Sequence, residues 1–136
     1  MSGVREHGDR QRMKGQGHHA EPLTFVCSGG GHFQSSAEAL TMMRSYVQDV
    51  SAKPEAGGVL LGRHILETGD IIVDLITEPM LSDRQSRFRF FRTRRPHQAV
   101  IDRAWRQSGG TCTSLGEWHT HPEQHPTPSG IDWQNW

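Results

Sequence analysis

His119 and His121 stand two residues apart in Gly116-Glu117-Trp118-His119-Thr120-His121-Pro122, and Asp132 follows eleven residues after the second imidazole. In an extended strand residues i and i+2 project from one face, so the two histidines can grip a single cation. Asp132 can swing back from the following turn as a third ligand. Two His and one carboxylate, with a fourth position left for water, form the ligand set of a catalytic zinc site rather than a structural one. A zinc-activated water still needs a group to take and return its proton. Glu55 is the best candidate, because a carboxylate beside the glycine-rich strand starting at Gly57 is desolvated and its pKa raised. Ser129, between His121 and Asp132 along the chain, can offer its hydroxyl to an oxyanion. The expected chemistry is hydrolysis by a zinc enzyme, with His119, His121 and Asp132 on the metal and Glu55 and Ser129 as catalytic groups.

Other residues compete for these roles. His125 is an alternative third ligand, although Pro126 restricts its backbone. Glu117 and Glu123 read as solvated or supporting carboxylates rather than ligands. An isolated His-x-His pair is more often a packing accident, and Glu55 alone is an ordinary loop acid. Only the whole set together specifies a metal site.

These groups must be carried by a small scaffold. At 136 residues the chain has the length of one domain, with 33% hydrophobic residues and a formal net charge of zero. That balance disfavours nucleic-acid binding by bulk charge. No apolar run approaches the ~18 residues of a membrane span, and the first residues lack a secretory h-region. Cys27 and Cys112 are far apart, outside any CxxC spacing, and read as buried small residues in a reducing, cytoplasmic setting. Residues 1–20, rich in Gly, His, Arg and Gln, read as a disordered leader before a domain over 21–136.

Along that domain, Leu23–Val26 reads as a strand closed by a glycine turn at 29–31, which lacks the spacing of a phosphate loop. Ser35 or Ser36 caps a helix whose apolar positions are Leu40, Met43, Tyr46, Val47 and Val50, stopped by Pro54. Gly57–Gly62 and Ile71–Ile76 read as buried strands, and Arg87–Thr93 as a half-exposed one. A helix runs from Pro96 to Gln107, ahead of Gly109-Gly110. Thr113–Thr120 is the strand that delivers the histidines, and Ser129 caps a last helix. Trp105 and Trp118 are expected in the core. The order describes an α+β domain.

Arg84, Arg87, Arg89, Arg92, Arg94 and Arg95 interleave with Phe88, Phe90 and Phe91. The alternation reads as a solvated basic face with Phe88 and Phe90 turned inward. A docking surface for an acidic partner or conjugate tail is the alternative, and nucleic acid has the least support.

Glu55, then His119-x-His121-Pro122, then Ser129-x-x-Asp132 resembles the JAMM motif of the JAB/MPN metalloproteases, over roughly residues 23–136. The resemblance implies a JAB/MPN-like (cytidine deaminase-like) mixed sheet with flanking helices. It implies zinc on His119, His121 and Asp132, Glu55 as acid/base, Ser129 on the oxyanion, and cleavage of peptide or isopeptide bonds after a ubiquitin-like C-terminal tail. Residues 55–63 and 116–123 are similar to the stand-alone bacterial JAB peptidases of CBASS antiphage operons and mobile elements. That branch implies E1- and E2-like conjugating enzymes as neighbours and a cGAS-like nucleotidyltransferase in the substrate. Family domains continue past the aspartate with further elements, whereas here four residues follow Asp132, so a fold cut short at the C-terminus is expected, its last turn packed by Trp133 and Trp136. Non-catalytic MPN scaffolds, RadC-like JAB proteins linked to DNA processing, and small-molecule metal amidases remain rival readings.

Overall fold

A computed structural model of the chain describes residues 21–135, apart from the side chains of Trp133 and Asn135. The expected leader at 1–20 and the packing expected of Trp133 and Trp136 lie outside the described residues. Five strands form a mixed sheet: β1 (Leu23–Val26), β2 (His32–Ser35), β3 (Gly57–Ile65), β4 (Asp70–Ile76) and, named here β7, Thr113–His119. Their order is β1-β2-β4-β3-β7, with β2 and β4 parallel and every other pair antiparallel. A separate hairpin joins β5 (Arg84–Ser86) and β6 (Arg89–Phe91). The helices are α1 (Ala37–Ser45), α2 (Arg94–Gln107) and α3 (Gly130–Asn135). The chain therefore has the α+β mixed sheet with flanking helices expected of it.

Alternation along β3 divides the core into two layers. Val59 and Leu61 pack with Ala104 and Cys112 beside Val100 and Ile101 of α2. Leu60 packs on the other cluster, with Val73, Ile76, Trp118 and the α1 residues Ala39, Met42 and Met43. Fully burying such a side chain contributes about 1.5–3 kcal/mol. Ser36 caps α1 by accepting the Ala39 N–H at 3.1 Å. The amides of Tyr46 and Val47 then bond back only three residues, to Met43 and Arg44, which tightens and ends the helix. Helix α1 thus stops well before Pro54, and Val47 and Val50 are exposed rather than core.

Three other expectations are corrected. Arg87–Thr93 is not one strand: β6 is the second arm of a hairpin turning at Arg87-Phe88, and Phe88 is 71% exposed instead of facing the core. Strand β2 was not foreseen. Trp105 lies off the buried stripe of α2 formed by His97, Val100, Ile101 and Ala104, and half of it faces solvent. Cys112 is buried as expected, whereas Cys27 is only partly so.

Polar groups fix the end of the sheet nearest the histidines. Thr77 Oγ1 accepts the Val59 N–H at 2.7 Å and lies 2.6 Å from His97 Nδ1, while His97 Nε2 lies 2.7 Å from Asp83 Oδ2. With Thr77 already an acceptor, its O–H donates to Nδ1, and the imidazole proton on Nε2 goes to Asp83. The Trp118 indole donates to the Thr77 carbonyl at 3.0 Å. Strand spacing here depends on absent side chains. A Cβ on Gly58 would fall 2.1 Å from the Thr77 oxygen, and one on Gly62 1.8 Å from the Ile72 oxygen. Gly62→Ala must push β3 from β4 and should lower the unfolding free energy by about 1–3 kcal/mol. Gly29→Ala, with open space around it, should change stability by less than about 0.5 kcal/mol. Urea denaturation of both variants checks this, and equal midpoints would show that the sheet gives way without cost.

Candidate active site

The ladder between β3 and β7 pairs Gly57 with His119. It continues past the strand end, where Thr120 N–H donates to the Ala56 carbonyl at 2.7 Å and Ala56 N–H to Thr120 Oγ1 at 3.0 Å. His121 is held beside the sheet by that clamp, although β7 itself ends at His119. The two imidazoles meet with Nε2 atoms 2.8 Å apart and ring centroids 4.8 Å apart. His121 Nδ1 lies 3.1 Å from Glu123 Oε2. An N–H donated there leaves Nε2 with its lone pair free, the tautomer a metal ligand requires.

Ser129 and Asp132 form a reciprocal cap at the start of α3. The Asp132 N–H donates to Ser129 Oγ at 3.2 Å, and Asp132 Oδ2 accepts the Ser129 N–H at 2.5 Å. This is a capping box with aspartate in the acidic position. It turns the carboxylate onto the histidines, with Oδ1 3.2 Å from His119 Nε2 and Oδ2 3.4 Å from His121 Nε2. Burial alone would raise the Asp132 carboxyl, but the Ser129 hydrogen bonds and both imidazoles outweigh it and hold it below the usual carboxylate range. Ser129 Oγ is occupied as an acceptor, while its O–H makes no hydrogen bond among the described residues and lines the groove.

Glu55 enters from the segment ahead of β3, anchored where its N–H donates to the Ser86 carbonyl of the hairpin at 2.7 Å. It is 6% exposed, and its Oε2 is buried without a hydrogen-bond partner among the described residues. Burial pushes its carboxyl up to about 7; nearby His121 lowers it, and Asp132 and Glu123 raise it further. Glu55, His119 and His121 each present a ligand atom within 4.8 Å of the others, a set that could hold a metal ion. An orphaned carboxylate oxygen, two imidazole nitrogens and a second carboxylate make a donor set that a divalent cation fits. All five site residues expected from the sequence therefore meet at one groove of about 330 Å³. His125 makes no hydrogen bond or ion pair with this cluster among the described residues.

Across the groove stands the β5–β6 hairpin with Phe88, Phe90 and Phe91. A Cβ on Gly57 would meet the Phe90 ring at 2.8 Å, so glycine there is what lets the aromatic wall sit against β3. Arg92 pairs with Glu117 on the neighbouring strand, so both are tied to each other rather than to the imidazoles. Gln48 was missed from sequence: it is buried, accepts from the Thr120 hydroxyl at 3.0 Å and donates to the Arg87 carbonyl at 2.8 Å. It lies in the irregular stretch after α1, between Val47 and Val50, whose helical spacing marks those two exposed residues as core instead.

The fold and this cluster define a JAB-type domain. The chain belongs to the prokaryotic homologs of the JAB domain, whose family model matches residues 37–136. It is 39% identical over 105 residues to a Pseudomonas aeruginosa protein named CD-NTase/cGAS isopeptidase, a match covering 77% of this chain and 64% of that one. Proteins of the same name from Escherichia coli and Vibrio cholerae are 33% identical over 114 residues and 39% over 97. Those two matches cover 84% and 71% of this chain, and 72% and 61% of the relatives. The chain thus spans about two thirds of the length of the curated relatives it matches. No helix among the described residues is long and apolar enough to cross a membrane.

The raised Glu55 carboxyl has a thermodynamic consequence. Between pH 4.5 and about 7 the folded chain keeps a proton that the unfolded chain has lost. The stability this contributes is complete below pH 4.5 and disappears as pH rises through about 7. In metal-free protein, Glu55→Gln should therefore gain stability relative to the parent as pH rises from about 4 to about 8. Chemical denaturation across that range tests it, and a constant difference would show that Glu55 is not desolvated.

Proposed function

We propose that this chain is a zinc-dependent isopeptidase, acting on the amide that joins the C-terminal tail of a CD-NTase/cGAS-like enzyme, or a similar ubiquitin-like tail, to a target. One observation carries the reading: two imidazole nitrogens, the Asp132 carboxylate and the unpartnered Glu55 oxygen converge at one end of an open groove. The names of the three relatives supply the substrate class. His119, His121 and Asp132 would hold the metal. Zinc bound there would lower the pKa of a water to about 7 and polarise the scissile carbonyl.

The chain's own residues do the rest. Glu55 Oε2 takes a proton from the attacking water as oxygen bonds to the carbonyl carbon. It returns that proton to the leaving amine as the C–N bond breaks. A carboxyl near pH 7 suits both halves, because neither protonation state is costly to reach. The Ser129 hydroxyl donates to the oxygen on which negative charge develops. Glu123 holds His121 in its ligating tautomer. The hairpin aromatics offer an apolar wall against which the substrate tail can lie. E1- and E2-like conjugating enzymes are the partners this reading expects, in the cytoplasm.

Glu55→Gln should keep about one zinc per chain while lowering hydrolysis by about 10²–10⁴-fold. Parent and variant are compared on a purified CD-NTase-like protein conjugated through its C-terminus, with cleavage followed by mass spectrometry. Undiminished cleavage by Glu55→Gln would remove the acid/base assignment. No cleavage by the zinc-loaded parent would remove the substrate assignment.

A further inference from the structure

A buried amide outside the groove ties its three walls together. Gln48 is 7% exposed, in an irregular segment after α1. Its Nε2 donates to the Lys53 carbonyl at 3.3 Å and the Arg87 carbonyl at 2.8 Å, and its Oε1 accepts from Thr120 Oγ1 at 3.0 Å. Both donors and the acceptor are therefore used. Each partner belongs to a different wall. Lys53 lies two residues before Glu55, Arg87 makes the turn of the hairpin, and Thr120 separates the two imidazoles. Thr120 Oγ1 also accepts the Ala56 N–H at 3.0 Å, so the chain of hydrogen bonds runs from the residue after Glu55, through Thr120 and Gln48, to the hairpin.

We infer that Gln48 is a positioning residue: through Thr120 and Arg87 it sets how Glu55, the two imidazoles and the hairpin stand relative to one another, and so tunes metal binding without touching the site. This rests on the zinc reading above. The need for an amide follows from its partners. Two loop carbonyls and the proton of a hydroxyl find their partner in this amide, and a hydrophobic side chain of the same size would leave all three unmet. Groups that orient metal ligands without contacting the ion typically change affinity by about 10–100-fold. The Thr120 hydroxyl has two duties, accepting from Ala56 and donating to Gln48, so its loss should act on the same element as loss of the amide.

The test uses the full chain and zinc alone. Zinc affinity is measured by competition with a chromophoric chelator, and the visible spectrum of the cobalt(II)-loaded protein reports ligand geometry. Gln48→Met keeps the volume and loses the polar contacts, Thr120→Val removes the hydroxyl, and Thr120→Ser retains it. Gln48→Met and Thr120→Val should each bind zinc about tenfold more weakly and shift the cobalt bands at saturation. The double variant should be no weaker than about twentyfold, since both substitutions remove the Gln48–Thr120 hydrogen bond, and Thr120→Ser should bind like the parent. A role confined to fold stability would move melting temperatures and leave the saturated cobalt spectrum unchanged, which overturns the inference. So does a Gln48→Met affinity within twofold of the parent. Should Gln48→Met fail to fold, equal affinities of Thr120→Ser and Thr120→Val overturn it. A parent chain that binds no zinc instead removes the metal reading itself.

Discussion

The double hydrogen bond between Ala56 and Thr120 is the constraint on which the rest of the site depends. It extends the β3–β7 ladder one step beyond β7. Glu55 lies immediately before one partner, and His119 and His121 flank the other. A carboxylate and two imidazoles, 64 residues apart in sequence or more, thereby become neighbours by backbone geometry alone. The remaining architecture serves this pairing. Glycines at 57, 58 and 62 let β3 approach Phe90, Thr77 and Ile72 closely, and the Thr77 hub holds Trp118, the residue before the first histidine.

The electrostatics follow from the same placement. A buried carboxylate oxygen with no partner costs about 1–3 kcal/mol in a folded protein. Glu55 carries that cost beside His119, His121 and a second carboxylate. The metal-free cluster reduces it by retaining a proton, which is why its carboxyl stands near 7. A cation would answer the same need while drawing the imidazole lone pairs and Asp132 together. The raised Glu55 carboxyl and a donor set that would suit a metal thus have one origin in local desolvation.

Much of this was legible in the residues, and the reasons for the gaps are local. His119, His121, Ser129 and Asp132 lie within fourteen residues, so a strand period and a capping box bring them together. Glu55 was harder, because its place at the site depends on a pairing between distant segments, and only the downstream His119–Asp132 set singled it out from an ordinary loop acid. Strand β2 escaped because His-Phe-Gln-Ser carries one strong apolar residue after a glycine run. The hairpin passed for a single strand because Arg–Phe alternation continues through the turn at Arg87-Phe88. Val47 and Val50 kept a helical spacing after the helix had ended. His97, buried in the core stripe of α2 between Thr77 and Asp83, breaks the hydrophobic pattern and could be placed only with its partners in view. Gln48 is the same problem in a loop.

The central claim is that His119, His121 and Asp132 hold a metal ion beside the Glu55 carboxylate. It is tested most directly by zinc per chain, measured by elemental analysis of the purified, tag-free protein with His119→Ala alongside. About one zinc in the parent and almost none in the variant is the predicted result. No zinc in either, after incubation with the metal and removal of excess, would contradict the account and reduce the cluster to a buried acid beside two histidines.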